Sequence, residues 1–285
     1  MAVLGIVCSL LAMAAAAKCA PIPLEMVDMT YTFDETTLHW PSQPKFELVV
    51  TVNETQEEGY WLQMENYFSG VHVGTHMDAP CHFAKGKWCV DQIPLSHLVG
   101  PAAVIDIKKR AEGDRDALVQ TSDLEKWEMV SGQSLDGHIV MIRSGWGSRW
   151  PDREAFTGTA GNDTTQLHFP GVSKEAAQWL VDNRSVYGLG TETLSLDNGP
   201  SQDLMAHRTL LGKNVYGLEN VANMDKIPLY GATLYVMPMK IGGGSGAPLR
   251  LVATFPKILF AQGEKMGERK TNTEETLREI IIFNK

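Results

Sequence analysis

The chain has 285 residues, 44% hydrophobic and 21% charged, the balance of a soluble globular protein able to bury a substantial core. Its 34 acidic side chains outnumber 25 basic ones, giving a formal net charge of -9, and no Lys/Arg run offsets the excess. That charge argues against nucleic acid or an anionic membrane surface as a partner.

Val3 to Ala17 is an apolar run ending in small residues, with the length of a signal-peptide core but no positive n-region. It is too short to span a bilayer comfortably, so residues 1–20 are expected to be a signal peptide; a retained anchor is the alternative. Three sequons agree with entry into the secretory pathway: Asn53-Glu-Thr, Asn162-Asp-Thr and Asn183-Arg-Ser. Without an internal repeat or a linker, residues 21–285 are expected to form one domain. Glu25 to Thr32 reads as a first strand, Thr36 to Lys45 as a loop around Trp40-Pro41, and Phe46 to Val52 and Trp61 to Phe68 as strands leading into the next segment.

That segment is His72-Val-Gly-Thr-His-Met-Asp-Ala-Pro-Cys-His-Phe83. His72, His76, Asp78 and His82 stand at even spacings, so an extended strand would turn them to one side, with Gly74 leaving room for an ion. A helix would align His72 with His76 but swing Asp78 away, and Gly74 and Pro80 oppose one. Imidazole plus carboxylate suits zinc or a similar divalent metal. The plain alternative is a set of satisfied core histidines, which would need a separate partner for each buried group. An oxidising compartment permits a disulfide between Cys81 and Cys89 beside this motif; two free thiols are the alternative.

Further on, Ala102 to Ile107 and His138 to Arg143 read as buried strands. Leu124 to Val130 reads as a helix capped by Thr121-Ser-Asp, and Ser173 caps another through Asp182. Val186 to Gly190 is a strand followed by the polar loop Thr191-Glu-Thr-Leu-Ser-Leu-Asp197, whose Thr191, Ser195 and Asp197 read as turn residues. Asp203 to Leu211 is a helix stopped by Gly212, Asn214 to Leu218 a strand, and Leu234 to Met239 and Leu249 to Phe255 the last strands. The alternation of strands and helices makes the fold class α/β. His207 and Glu219 flank the Gly212 turn and could meet. Met237 and Met239 read as core filler, and Arg250 as one half of a structural ion pair.

In these motifs the chain resembles the cyclase-like metal hydrolases, a family that includes bacterial arylformamidase (kynurenine formamidase) and isatin hydrolase. The resemblance rests on His-x-Gly-Thr-His-x-Asp-x-Pro-x-His at His72–His82, on Thr191–Asp197, on His207-Arg-Thr-Leu-Leu through Glu219-Asn220, and on Gly243-Gly-Ser-Gly-Ala-Pro-Leu-Arg250. It covers roughly Met26 to Phe255. It implies a single α/β domain with a mixed, barrel-like β-core flanked by helices, usually a homodimer. It also implies one or two divalent ions, zinc or manganese: His72 and His76 on one, His207 on the second, and Asp78 and Glu219 shared between them. His82 matches the catalytic acid/base. Trp40 falls where formamidases carry a tryptophan lining the substrate pocket; covering the core is its plainer role. The signal peptide and sequons are unlike the cytosolic bacterial enzymes.

Such a centre would lower the pKa of bound water, and the resulting hydroxide would attack a carbonyl while His82 moves the proton to the leaving nitrogen. The expected activity is hydrolysis of an amide or formamide C–N bond in a small aromatic molecule, N-formylkynurenine-like, with an isatin-like lactam as the alternative substrate. A binding protein on a retired hydrolase scaffold is the rival from another class. A structural zinc site would be richer in cysteine than this His/Asp/Glu set.

Overall fold

The computed structural model describes residues 23–257, so the expected signal peptide lies outside the described residues. Seven strands close into a barrel. From β12 (Gly246–Pro256) the hydrogen-bonded order runs through β11 (Thr233–Pro238), β5 (Val99–Asp106), β7 (Ile139–Arg143), β9 (Gly188–Thr191), β10 (Tyr216–Glu219) and β4 (His76–Asp78), which pairs back onto β12. β5, β7, β9 and β10 are parallel and the other junctions antiparallel. β1 (Leu24–Asp28) extends β12 outside the closure, and β6 (Leu118–Val119) pairs with β8 (Gly171–Val172). The helices are α1 (Leu95–Leu98), α2 (Lys108–Gly113), α3 (Thr121–Ser131), α4 (Arg153–Thr157), α5 (Lys174–Asn183) and α6 (Met205–Leu211). The expected α/β barrel-like core flanked by helices is therefore present.

Residues 102–105 of β5 and 139–142 of β7 are uninterrupted apolar runs because both of their faces are covered. Ala102, Val104, Ile139 and Met141 join Tyr216, Leu218 and Leu251 in one core. Ala103, Ile105, Val140 and Ile142 pack instead against Leu124 and Trp127 of α3, Leu180 of α5 and Leu210 of α6. Small residues on β9 make the first core possible. A Cβ on Gly190 would lie 2.6 Å from Met141 Cε, so the Met141 side chain occupies the space glycine leaves open.

Several expectations need correction. α3 begins at Thr121, earlier than expected, with Gln120 at its N-cap position; Asp123 of the expected Thr121-Ser-Asp cap accepts from the Gln120 backbone amide (2.8 Å). The Ser173 cap holds: its hydroxyl accepts from the Ala176 amide at 3.1 Å. β2 (Glu47–Thr55) and β3 (Trp61–Phe68) do not lead into the sheet but pair only with each other, as a hairpin exposed on both faces. Its apolar residues found no core; Trp61 and Phe68 are each 61% exposed. Met237 and Met239 are not core filler either, since both are exposed. Arg250 does form the expected ion pair, with Asp28 at 2.6 Å.

A candidate metal centre between two strands and a helix

β4 brings the first part of the site to the barrel wall. Met77 packs into the first core, and alternation turns His76 and Asp78 the other way. Glu219 is the direct cross-strand partner of His76 on β10 and follows Leu218, another core residue, so it points to the same side. α6 lays His207 over this group. Its Nε2 lies 3.2 Å from Asp78 Oδ2 and 3.0 Å from Glu219 Oε1.

The motif works differently from the continuous strand expected between His72 and His82, because only His76–Asp78 is strand. Gly74 sits at φ +59, and a Cβ there would come within 2.7 Å of Phe33 and 2.9 Å of Thr37. Its role is thus to turn the chain tightly, not to leave space for an ion. The turn carries His72 back so that its Nδ1 meets Asp78 Oδ1 at 2.6 Å, with Ser245 Oγ 3.1 Å from Nε2. Gly246 makes room for that ring: a Cβ there would lie 2.8 Å from His72 Nδ1. His82 stands on a 3-10 turn, Pro80–His82, at the exposed edge of the cluster, its ring stacked on His72 at 4.0 Å. The Cys81–Cys89 pair is a disulfide, Cα atoms 5.1 Å apart, and it closes the loop that begins with this turn.

Two groups of donors converge and share one residue: His72, Asp78 and His82, and His76, Asp78 and Glu219. Asp78 directs Oδ1 toward His76 (3.2 Å) and Oδ2 toward His207 (3.2 Å). Glu219 likewise directs Oε2 toward His76 (3.4 Å) and Oε1 toward His207 (3.0 Å). The two carboxylates therefore divide their oxygens between the same two imidazoles. All four side chains are buried.

The electrostatics are those of a site built for added positive charge. Burial raises the pKa of Glu219, and the neighbouring Asp78 charge raises it further. For Asp78 burial acts upward, but hydrogen bonds from His207 and His72 and the facing ring of His76 outweigh it and hold the carboxyl well below its ordinary range. For His207 burial acts downward and is outweighed by Asp197, Asp78 and Glu219, so its pKa is raised well above the usual value. The fit to a cation has a direct sign. His76 Nδ1 is taken up by the Gly74 carbonyl (2.9 Å), a pure acceptor, which leaves Nε2 as the coordinating atom. That atom is fully buried without a hydrogen-bond partner, facing only carboxylate oxygens. An orphaned imidazole nitrogen between two buried carboxylates suits a divalent ion.

The comparisons with known proteins agree with this chemistry. Residues 27–198 match the family model described as "Putative cyclase". The chain belongs to the cyclase family. It is 32% identical to the isatin hydrolase of Roseibium aggregatum over 249 residues, 82% of this chain and 93% of that protein. It is 27% identical to the kynurenine formamidase of Salinibacter ruber over 231 residues, 80% and 97% of the two chains. Its fold matches isatin hydrolase A of Ralstonia solanacearum with a TM-score of 0.74, at 31% identity, covering 88% of this chain and 97% of that one. As a member of this family the chain is a hydrolase, and its relatives act on small molecules.

Of the residues predicted from sequence, His72, His76, Asp78, His207 and Glu219 meet in one cluster, with His82 at its edge. Trp40 lies outside it. It is half-buried, packed with Trp150 on a third apolar cluster that includes Leu38, Trp146 and Phe156. Its chain neighbours nonetheless reach the Gly74 turn: His39 bridges to Val73, and the Gly74 amide donates to Leu38 (2.9 Å). Asn220 and Asp197 were not read from the sequence as site residues. Asn220 Nδ2 donates to the same Gly74 carbonyl that holds His76 (2.8 Å). Asp197, read as a turn residue, stands 2.6 Å from His207 Nδ1.

Proposed function

We propose that this enzyme hydrolyses an amide C–N bond in a small aromatic molecule, with one or two divalent cations, zinc or manganese, held by His72, His76, Asp78, His207 and Glu219. The observation that carries the reading is the division of Asp78 and Glu219 between His76 and His207, which gives two adjacent positions sharing two carboxylates. When bound, such cations lower the pKa of a water molecule and polarise the carbonyl that it attacks. His82 has the position to take the nucleophile's proton and return it to the leaving nitrogen. Trp40 and Trp150, packed together on the third apolar cluster, would supply an aromatic surface for the substrate.

An arylformamide such as N-formylkynurenine is the first substrate to examine. An isatin-like lactam is the second, favoured by the 32% identity to an isatin hydrolase. Hydrolysis of both is followed by ultraviolet absorbance on metal-loaded protein, with and without a chelator. Turnover of either one, abolished by chelation and restored by metal, is the expected result. Metal-loaded protein inert toward both and toward a panel of other amides would instead identify a binding protein on this scaffold.

We also propose that the protein enters the secretory pathway and forms a homodimer. Asn53, Asn162 and Asn183 are all exposed, and a disulfide suits an oxidising compartment. A two-stranded hairpin is marginal by itself in water, and the apolar side chains of β2 and β3 form a patch of the kind a partner covers. Light scattering is expected to give a dimer, shifted toward monomer by Trp61→Glu; a wild-type monomer would overturn the assignment.

A further inference from the structure

We propose that Asp197 is the positioning residue for the His207 half of the site, fixing at once the tautomer of that imidazole and the seating of the helix that carries it. The proposal rests on the metal-hydrolase reading above. Asp197 ends the loop after β9 and is 4% exposed. Its Oδ1 accepts from the Ala206 amide (2.8 Å). Its Oδ2 accepts from the His207 amide (3.1 Å) and lies 2.6 Å from His207 Nδ1.

The first two contacts do the work of a helix cap. The residue at the N-cap position of α6 is Leu204, held at φ 50, and it has no side-chain acceptor to offer. Free amides at a buried helix start need acceptors, and Asp197 supplies them from an earlier loop. The third contact sets the ring. A carboxylate can only accept, so Nδ1 must carry the hydrogen. Nε2 is then the nitrogen left to coordinate, and it is the one that faces Asp78 and Glu219. A ligating histidine whose other nitrogen is held by a carboxylate is fixed in orientation and made more basic, and loss of such a partner typically costs about 10–100-fold in metal affinity. Because one carboxylate serves helix and ring together, the helix cannot shift without taking the imidazole off its acceptor.

Asp197→Asn keeps one of the two helix contacts and reverses the contact to the ring. The remaining oxygen can still accept from the Ala206 amide, while the NH2 group takes the place of the oxygen that serves both the His207 amide and Nδ1. The NH2 group then faces His207 Nδ1 and donates to it, which moves the ring hydrogen to Nε2, where a cation would bind. Zn2+ affinity is measured by competition with a chromophoric chelator on wild-type and variant protein, with the thermal transition of each metal-free form as the control for folding. The expected result is a metal-free transition that stays cooperative and falls only by the one helix-start hydrogen bond lost, with Zn2+ binding about 10–100-fold weaker at one site. Equal Zn2+ affinity in the two proteins would overturn the role of Asp197 while leaving the metal centre standing; a wild-type protein that binds no Zn2+ would overturn the underlying reading instead. Should Asp197→Asn fail to fold, nitrogen-15 spectra of the Zn2+-loaded wild-type protein decide: His207 protonated at Nδ1 supports the proposal, and His207 unprotonated there refutes it.

Discussion

Asp78→Asn is expected to remain folded, to bind divalent cations more than ~100-fold more weakly and to lose turnover. Outer partners of a metal ligand are worth about 10–100-fold in affinity, and a shared ligand must exceed that. Asp78 is the residue common to both donor groups, and its two oxygens address three imidazoles: His72 at 2.6 Å, and His76 and His207 at 3.2 Å. An amide keeps one acceptor oxygen and turns an NH2 toward a nitrogen that now faces an anion. The negative charge that offsets the cation is lost as well. The side chain is the same size and lies on β4, between β10 and β12, so the backbone ladder is untouched. Metal content after gel filtration, with circular dichroism as the check on folding, tests this. Asp28→Asn is the control: it breaks the exposed pair with Arg250, which contributes at most about 1 kcal/mol, and should alter neither metal content nor turnover. Full metal content in Asp78→Asn would remove Asp78 from the centre.

The residues of the centre were legible in the sequence, but the geometry that unites them was only partly so. Even spacing named His72, His76 and Asp78, and it is right for His76 and Asp78, which share one face of β4. For His72 the same residues meet for another reason: the left-handed turn at Gly74 brings the ring back, and no alternation rule encodes that. The pairing of His76 with Glu219 is a matter of register between strands far apart in the chain, set by the closure of the barrel. Asp197 was overlooked because an aspartate after a strand is ordinarily a turn residue, and its partner lies ten residues on, past a helix start that has no cap of its own. The hairpin misled in the opposite way. Apolar, β-branched and aromatic residues in β2 and β3 announce strands that join the sheet, yet both faces are open, so the composition reports a surface and not the barrel. Where a strand's two faces are both buried, as in β5 and β7, the continuous apolar run was sufficient.

His82→Ala should lower the turnover number by about 10²–10⁴-fold while leaving metal content and fold intact. His82 lies within reach of His72 and Asp78, so it could be either a ligand or a proton carrier, and metal content separates the two. Its placement favours the carrier. The ring lies at the exposed edge of the cluster, stacked on His72 at 4.0 Å and met edge-on by Phe83 at 4.6 Å, whereas His76 and His207 are buried between carboxylates. The turn beneath it is pinned by the His82 amide donating to Ala79 (2.8 Å), the Cys81 amide donating to Trp88 (2.9 Å) and the disulfide to Cys89. Desolvation against the cluster lowers the His82 pKa; the Asp78 charge opposes this, the neighbouring imidazoles of His72, His207 and His76 reinforce it, and the value falls to about 4. The sign is that of a base: with its pKa lowered, His82 is protonated only below about pH 4 and stands ready to accept a proton throughout the neutral range. A nearby cation acts in the same direction. In the wild type, an acid limb of kcat/KM near neutral pH should therefore belong to the cation-bound water, whose pKa would be about 7, and should persist in His82→Ala, because the base form of His82 is already fully present there. Loss of metal in His82→Ala would reassign the residue as a ligand. An acid limb at pH 6.5 that vanishes in the variant, with metal retained, would instead show an imidazole titrating as in water, and the depressed pKa argued from its surroundings would be wrong.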